Sequence, residues 1–207
     1  MYGKLPTSLG IQNVECKEMM FYQYLPIKLS GTHPMQIEHR LRVFCDMIGQ
    51  CCCDYIGEYG LDNYVNSNVY LTVKYMFQQK GCSFNREGWH SDGFLTDDIN
   101  YIWSDKFGTV FNDTDFKLTL DHNKSLSEME WQYDNRKNII YSDGELLRLD
   151  QYSIHKVAPI TENGMRTFFK LSISKDKYNL VGNSHNYLLD YDWVMKEREV
   201  ERNHPCK

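Results

Sequence analysis

The sequence predicts a mainly β fold with flanking helices, of the barrel or jelly-roll kind, and three observations point there. Over residues 69–174, seven or eight short runs rich in β-branched and aromatic residues recur at regular spacing, separated by turn residues. Aromatic content is high, with fifteen Tyr and ten Phe, which suits strands around a pocket better than a coiled coil. One long amphipathic segment precedes the strands, placed to buttress a sheet from outside.

Residues 1–31 come first, punctuated by Gly3, Pro6, Gly10, Pro26 and Gly31, and read as irregular or short-strand structure. The piece from Tyr2 to Ser8 is either a lid over a pocket or an arm packed on the sheet. A helix is expected next, capped by Thr32 or His33, with Pro34 in its first turn and Gly60 after its end. Between them Ile37, Leu41, Phe44, Ile48, Cys52, Tyr55 and Tyr59 recur at steps of three or four, one apolar face. Cys51, Cys52 and Cys53 fan around that helix and cannot converge on one metal, so they read as packing residues. Strands are then expected at 69–77, 99–103, 109–111, 116–120, 138–141, 145–149, 152–155 and 166–174. Residues 124–134 suggest a short helix, with Ser125 as cap and Glu128 completing a capping box. Tyr191 to Arg202 could form an exposed terminal helix. The whole reads as one domain over 1–207: an N-terminal arm and helix over 1–68, a β core over 69–174 and an extension over 175–207.

Charge and cysteine usage narrow the function classes. A net charge of −5 argues against a dedicated duplex-DNA or membrane-surface binder, which would cluster Lys and Arg, although Lys74, Lys80, Arg86 and Lys106 lie around residues 88–94 and leave room for a modest groove for an anionic partner. No apolar run is long enough to span a bilayer, and the N-terminus lacks the basic-then-apolar order of a signal peptide. Seven Cys without a Cys-x-x-Cys pair fit reduced thiols in a cytoplasmic protein better than a zinc knuckle or disulfide framework.

The chemistry concentrates in Gly88-Trp89-His90-Ser91-Asp92-Gly93-Phe94. On an extended segment His90 and Asp92 point to the same side, because strand side chains alternate with period two. An imidazole and a carboxylate facing one point are two thirds of a facial triad, which leaves the other face of a metal open. His155, sixty-five residues after His90 and at the end of a predicted strand, is the leading third ligand. His185, with Lys196 eleven residues on, is the rival, but it lies in the polar stretch Gly182-Asn183-Ser184-His185-Asn186. Arg166 follows His155 by eleven residues, across the turn Thr161-Glu162-Asn163-Gly164, so the next strand can bring it back to the same cavity. The planar fork of an arginine holds a carboxylate in two parallel hydrogen bonds.

His90-x-Asp92, then His155, then Arg166 resembles the iron(II)/2-oxoglutarate-dependent dioxygenase superfamily, whose fold is a double-stranded β-helix of the jelly-roll, cupin-like class. Trp89-His90-Ser91-Asp92 and Phe107-Gly108-Thr109-Val110-Phe111 are most similar to the taurine dioxygenase and clavaminate synthase branch. The resemblance covers residues 69–174, and it departs from the pattern at Phe168, where a serine is frequent, and in the forty-five residues between Thr109 and His155. It implies that His90, Asp92 and His155 bind Fe(II) and that Arg166 grips the distal carboxylate of 2-oxoglutarate. Thr109 or Tyr101 would supply a second donor to the cosubstrate. The implied reaction uses O2 and 2-oxoglutarate, releases succinate and hydroxylates a small metabolite or free amino acid. Two other readings stand beside it: the same chemistry on a nucleobase or protein side chain, and a non-oxidising, metal-binding cupin-like protein.

Overall fold

The computed structural model describes residues 1–82 and 86–198. Its strands, in chain order, are β1 (Thr7–Ile11), β2 (Met20–Lys28), β3 (Asn68–Gln78), β4 (His90–Ser91), β5 (Ile99–Ser104), β6 (Thr109–Asn112), β7 (Asn138–Ile140), β8 (Glu145–Leu149), β9 (Ile154–Val157) and β10 (Gly164–Ser174). The α-helices are α1 (Cys45–Tyr59), α2 (Leu61–Val65) and α3 (His122–Gln132). The strands form two antiparallel sheets: six strands ordered β1-β8-β5-β10-β3-β2, and four ordered β4-β9-β6-β7.

The alternation of side chains on β10 explains the layering. Phe169, Leu171 and Ile173 face outward with Val69, Leu71 and Val73 of β3 and Tyr101 and Trp103 of β5. They meet the apolar stripe of α1, where Met47, Ile48, Cys51, Cys52 and Tyr55 are buried. The opposite face of the same sheet carries Ile102, Leu147 and Leu149, which pack on Phe111 of β6 across the gap between the sheets. On the far side of the smaller sheet, Val110 and Ile154 pack with Trp89, Phe94 and Met129 of α3. Both sheets therefore have an apolar outer cover, and the space between them is partly polar.

Several sequence expectations are corrected. Residues 32–38 are not helical; the segment starts as a 3-10 turn at His39–Phe44 and becomes α-helical only at Cys45. Asn186 explains part of the difference, since its side chain binds the carbonyls of Pro26 and Gln36 and holds that stretch extended. Residues 116–120 form no strand, only an isolated bridge between Phe116 and Tyr2. Asp121, not Ser125, caps α3, accepting from the backbone N–H groups of Asn123 and Lys124, while Ser125 is buried inside the helix. Glu128 instead ties down Thr119. Residues 191–198 contain no helix, and the rest of the expected terminal helix lies outside the described residues. The N-terminal arm packs on the sheet: β1 pairs with β8 at its edge, and the backbone N–H groups of Gly3 and Lys4 bond Tyr152. Among the described residues, no helix is long and apolar enough to cross a membrane.

Candidate metal centre

The centre is built by one strand pair. β4 and β9 run antiparallel with His90 directly opposite His155, so the two imidazoles project side by side, with ring centroids 4.5 Å apart. Asp92 follows two residues after His90, in a tight turn, and returns its carboxylate to the same side. That turn depends on Gly93, at φ 71°, where an added Cβ would come within 2.8 Å of Thr96 Oγ1 and 3.0 Å of Asp98 Cβ. The backbone N–H and hydroxyl of Thr96 both donate to the Gly93 carbonyl and close it.

The ligand atoms offered by His90, Asp92 and His155 all lie within 4.8 Å of one another. Both histidines are oriented by the same local device. Nδ1 of His90 lies 3.0 Å from the carbonyl of Gly88, and Nδ1 of His155 lies 3.0 Å from the carbonyl of Ser153. A carbonyl only accepts, so each Nδ1 carries the proton and each Nε2 keeps its lone pair for a metal. Burial, then the neighbouring His155, pushes His90 down to about 3, and burial likewise lowers His155. Burial works against ionisation of Asp92, but Lys170 and the two imidazoles outweigh it and hold the carboxyl below the usual carboxylate range. Two neutral imidazoles and one carboxylate on one side of a point suit a divalent first-row metal with open positions. His185 is not part of this cluster; its ring stacks on Tyr191 and meets Tyr187 edge-on.

No family model matches the sequence, and no curated protein matches it. Among solved structures, the chain is similar to an oxidoreductase of the 2OG-Fe(II) oxygenase family from Burkholderia pseudomallei, with 11% identity and a TM-score of 0.43, covering 83% of this chain and 72% of that one. It is also similar to TqaL, an Fe(II)/α-ketoglutarate-dependent dioxygenase, with 13% identity and a TM-score of 0.37, covering 70% of this chain and 59% of that one. The likeness is to iron(II)/2-oxoglutarate oxygenases. The site is assigned from its own side chains.

Beside the triad, between the sheets, lies a cavity of about 170 Å³. The smaller sheet lines it with Thr109, His155 and Val157, and the larger with Thr72, Lys74, Ile102, Phe168 and Lys170. A second cavity of about 60 Å³ shares Tyr24, Arg86, His90, Asp92 and Lys170 with the first and adds Phe94, His122 and Tyr178. The triad thus stands between two recesses.

The residues expected to hold an oxygenase's cosubstrate fare differently. Thr109 is on the cavity wall, at the start of β6 opposite Val157. Tyr101 is not: it faces the outer side of its sheet, and its hydroxyl donates to Asp54 of α1 at 2.8 Å. Alternation along β5 forces this, since Ile102 beside it points inward. Arg166 is buried on the inward-facing register of β10 but does not line the cavity. Its Nε and Nη2 donate to the carbonyls of Lys106 (2.8 Å) and Phe107 (2.9 Å), bracing the turn that leads into Thr109. Burial lowers its guanidinium to about 10.

Lys170 is absent from the sequence expectations, where Lys74 figures only among the basic residues around 88–94. Lys170 Nζ lies 2.8 Å from Asp92 Oδ2 and 3.3 Å from the Tyr24 hydroxyl, and the residue is 7% exposed. Lys74 is half-buried on the neighbouring strand, with its ammonium lowered to about 8 by burial and by Arg166 and Lys170. The sequence carries a signal for Lys170: it and Ser172 alternate with Phe169, Leu171 and Ile173 on one strand, so the face opposite those three apolar side chains is partly polar.

Proposed function

We propose that this protein is an Fe(II)/2-oxoglutarate-dependent dioxygenase, built as a double-stranded β-helix, that oxidises a small molecule. The observation that carries the reading is the convergence of His90, Asp92 and His155 with both Nδ1 atoms tied to backbone carbonyls. The donor set fits ferrous iron, which His90 Nε2, His155 Nε2 and the Asp92 carboxylate would hold on one face. Iron bound there supplies the activation of O2, coupled to decarboxylation of 2-oxoglutarate to succinate and to oxidation of the substrate.

The chain's own groups do the rest. The Gly88 and Ser153 carbonyls hold the imidazoles in one tautomer and one orientation. The cavity beside the triad is roomy enough for a small dicarboxylate, and Lys74 and the Thr109 hydroxyl stand on its wall to receive the distal carboxylate. Arg166 is the second cationic partner proposed for that carboxylate; its two carbonyl bonds leave three of about five guanidinium N–H groups to make the contact. Ile102, Val157 and Phe168 form the apolar part of the wall and limit water beside the reacting groups.

A small substrate is favoured over a duplex by the modest size of the recesses and by the net charge of −5. The decisive experiment adds Fe(II) and 2-oxoglutarate without oxygen and looks for the charge-transfer absorption of a chelated keto acid. Succinate release against a panel of amino acids, nucleotides and oligonucleotides follows. A metal-loaded protein with no such absorption and no succinate would favour the non-oxidising reading. Tight, salt-sensitive duplex binding with DNA-stimulated succinate release would move the substrate to a nucleobase. Arg166→Ala and Lys74→Ala should each weaken 2-oxoglutarate binding while retaining iron, and Thr109→Val should weaken it less.

A further inference from the structure

The single anionic ligand of the centre is neutralised from the opposite sheet. His90, Asp92 and His155 belong to β4, the turn after it and β9, whereas Lys170 belongs to β10 of the six-stranded sheet. Its ammonium reaches across the gap to Asp92 Oδ2 at 2.8 Å, and that same oxygen is the one 3.7 Å from His155 Nε2. Lys170 is fixed in this position by the Tyr24 hydroxyl, at 3.3 Å, and by the Tyr24 ring, whose centroid is 5.3 Å from Nζ. Tyr24 is itself locked by stacking on Tyr178, with centroids 4.8 Å apart, and Tyr178 donates to Asp98. Lys170 therefore has little freedom to leave.

We propose that Lys170 is a positioning residue that couples the metal to the anionic cosubstrate by cancelling the charge of Asp92. A site of two neutral imidazoles and a free carboxylate would carry one negative charge; with Lys170 in contact it carries none. A divalent ion placed there keeps its full double charge, so the metal alone is held more weakly and a dianionic chelator on the metal is held more strongly. Metal and dicarboxylate then bind cooperatively, each raising the affinity for the other by the same factor. Lys170 is buried and Asp92 is largely shielded, which strengthens the effect, because charges separated from solvent are poorly screened. The inference rests on the proposed use of 2-oxoglutarate, but its first half concerns the metal alone.

The test measures metal affinity with and without 2-oxoglutarate, by anaerobic titration of Fe(II) or, as a stable substitute, Mn(II). The comparison is between the unmodified chain, Lys170→Met and Lys170→Gln. Met keeps the length of the side chain and Gln keeps a donor for Asp92, so one variant stands in if the other does not fold by circular dichroism. Removing the charge should tighten binding of metal alone by about tenfold or more. The factor by which 2-oxoglutarate improves metal affinity should fall by a similar amount. A purely structural role predicts the reverse for the first quantity, since a displaced Asp92 binds metal less well. Metal affinity that is unchanged or weaker in the folded variants overturns the proposal. So does a coupling factor that exceeds one in the unmodified chain and is undiminished in the variants. If 2-oxoglutarate fails to alter metal binding in the unmodified chain while the variants still bind metal more tightly, the cosubstrate reading has failed and the charge cancellation has not.

Discussion

At the scale of single residues, the site depends on a few side chains whose neighbours fix their protonation. Replacing His90, Asp92 or His155 with Ala is expected to abolish stoichiometric metal binding, whereas His185→Ala, removed from the cluster and packed on Tyr187 and Tyr191, should bind as before. Metal titration of the four variants checks this, and normal binding by His155→Ala would refute the ligand set. Acid stability gives an independent view of His90. Its folded value is pushed from about 6.5 to about 3, so between those values the unfolded chain takes up a proton that the folded chain refuses. Stability in chelator should therefore fall as pH drops through that window, by up to about 1.4 kcal/mol per unit from this group. His90→Gln should flatten the acid limb of a denaturation-midpoint series; an unchanged slope would show that His90 is protonated in the fold.

At the scale of elements, β4 is only two residues long, yet its pairing with β9 sets the distance between the imidazoles. The turn after β4 does as much for Asp92, and it tolerates no side chain at Gly93. Gly93→Ala is expected to cost about 1–3 kcal/mol of stability. It should also weaken metal binding, because the turn must open to clear Thr96 Oγ1 and Asp98 Cβ and carries Asp92 with it. Urea denaturation and metal titration of the same variant test both halves; wild-type metal affinity would show that the turn does not position the carboxylate. Helix boundaries were less legible than strands. The apolar stripe of α1 is visible in the sequence, but the same stripe continues to Ile37 through residues whose partners, such as Asn186, lie far along the chain. Ser125 and Glu128 form the more familiar capping pattern locally, but Asp121 caps α3 and Glu128 is drawn away by Thr119.

At the scale of the whole molecule, the ligands come from segments sixty-five residues apart, so a bound metal ties the fold together. Metal at a hundred times its dissociation constant should raise unfolding stability by about 2.7 kcal/mol. Thermal or urea denaturation with and without Mn(II) measures it, and Asp92→Ala should show no such gain; an equal gain in that variant would place the metal elsewhere. The sequence by itself determined the strand-rich class and the amphipathic α1, because these follow from periodicities of two and of three to four within a short window. It marked the pair His90 and Asp92, although a turn after β4 and not strand alternation brings the carboxylate to the imidazole's side. It also singled out His155, whose spacing could be read but whose place opposite His90 could not. Only the tertiary structure decided which face of each strand looks inward. That choice set Tyr101 against α1, turned Arg166 to the carbonyls of residues 106 and 107, and brought Lys170 across to Asp92. The physical reason is that a one-residue change of register inverts every side chain on a strand, and register is fixed by neighbours distant in sequence.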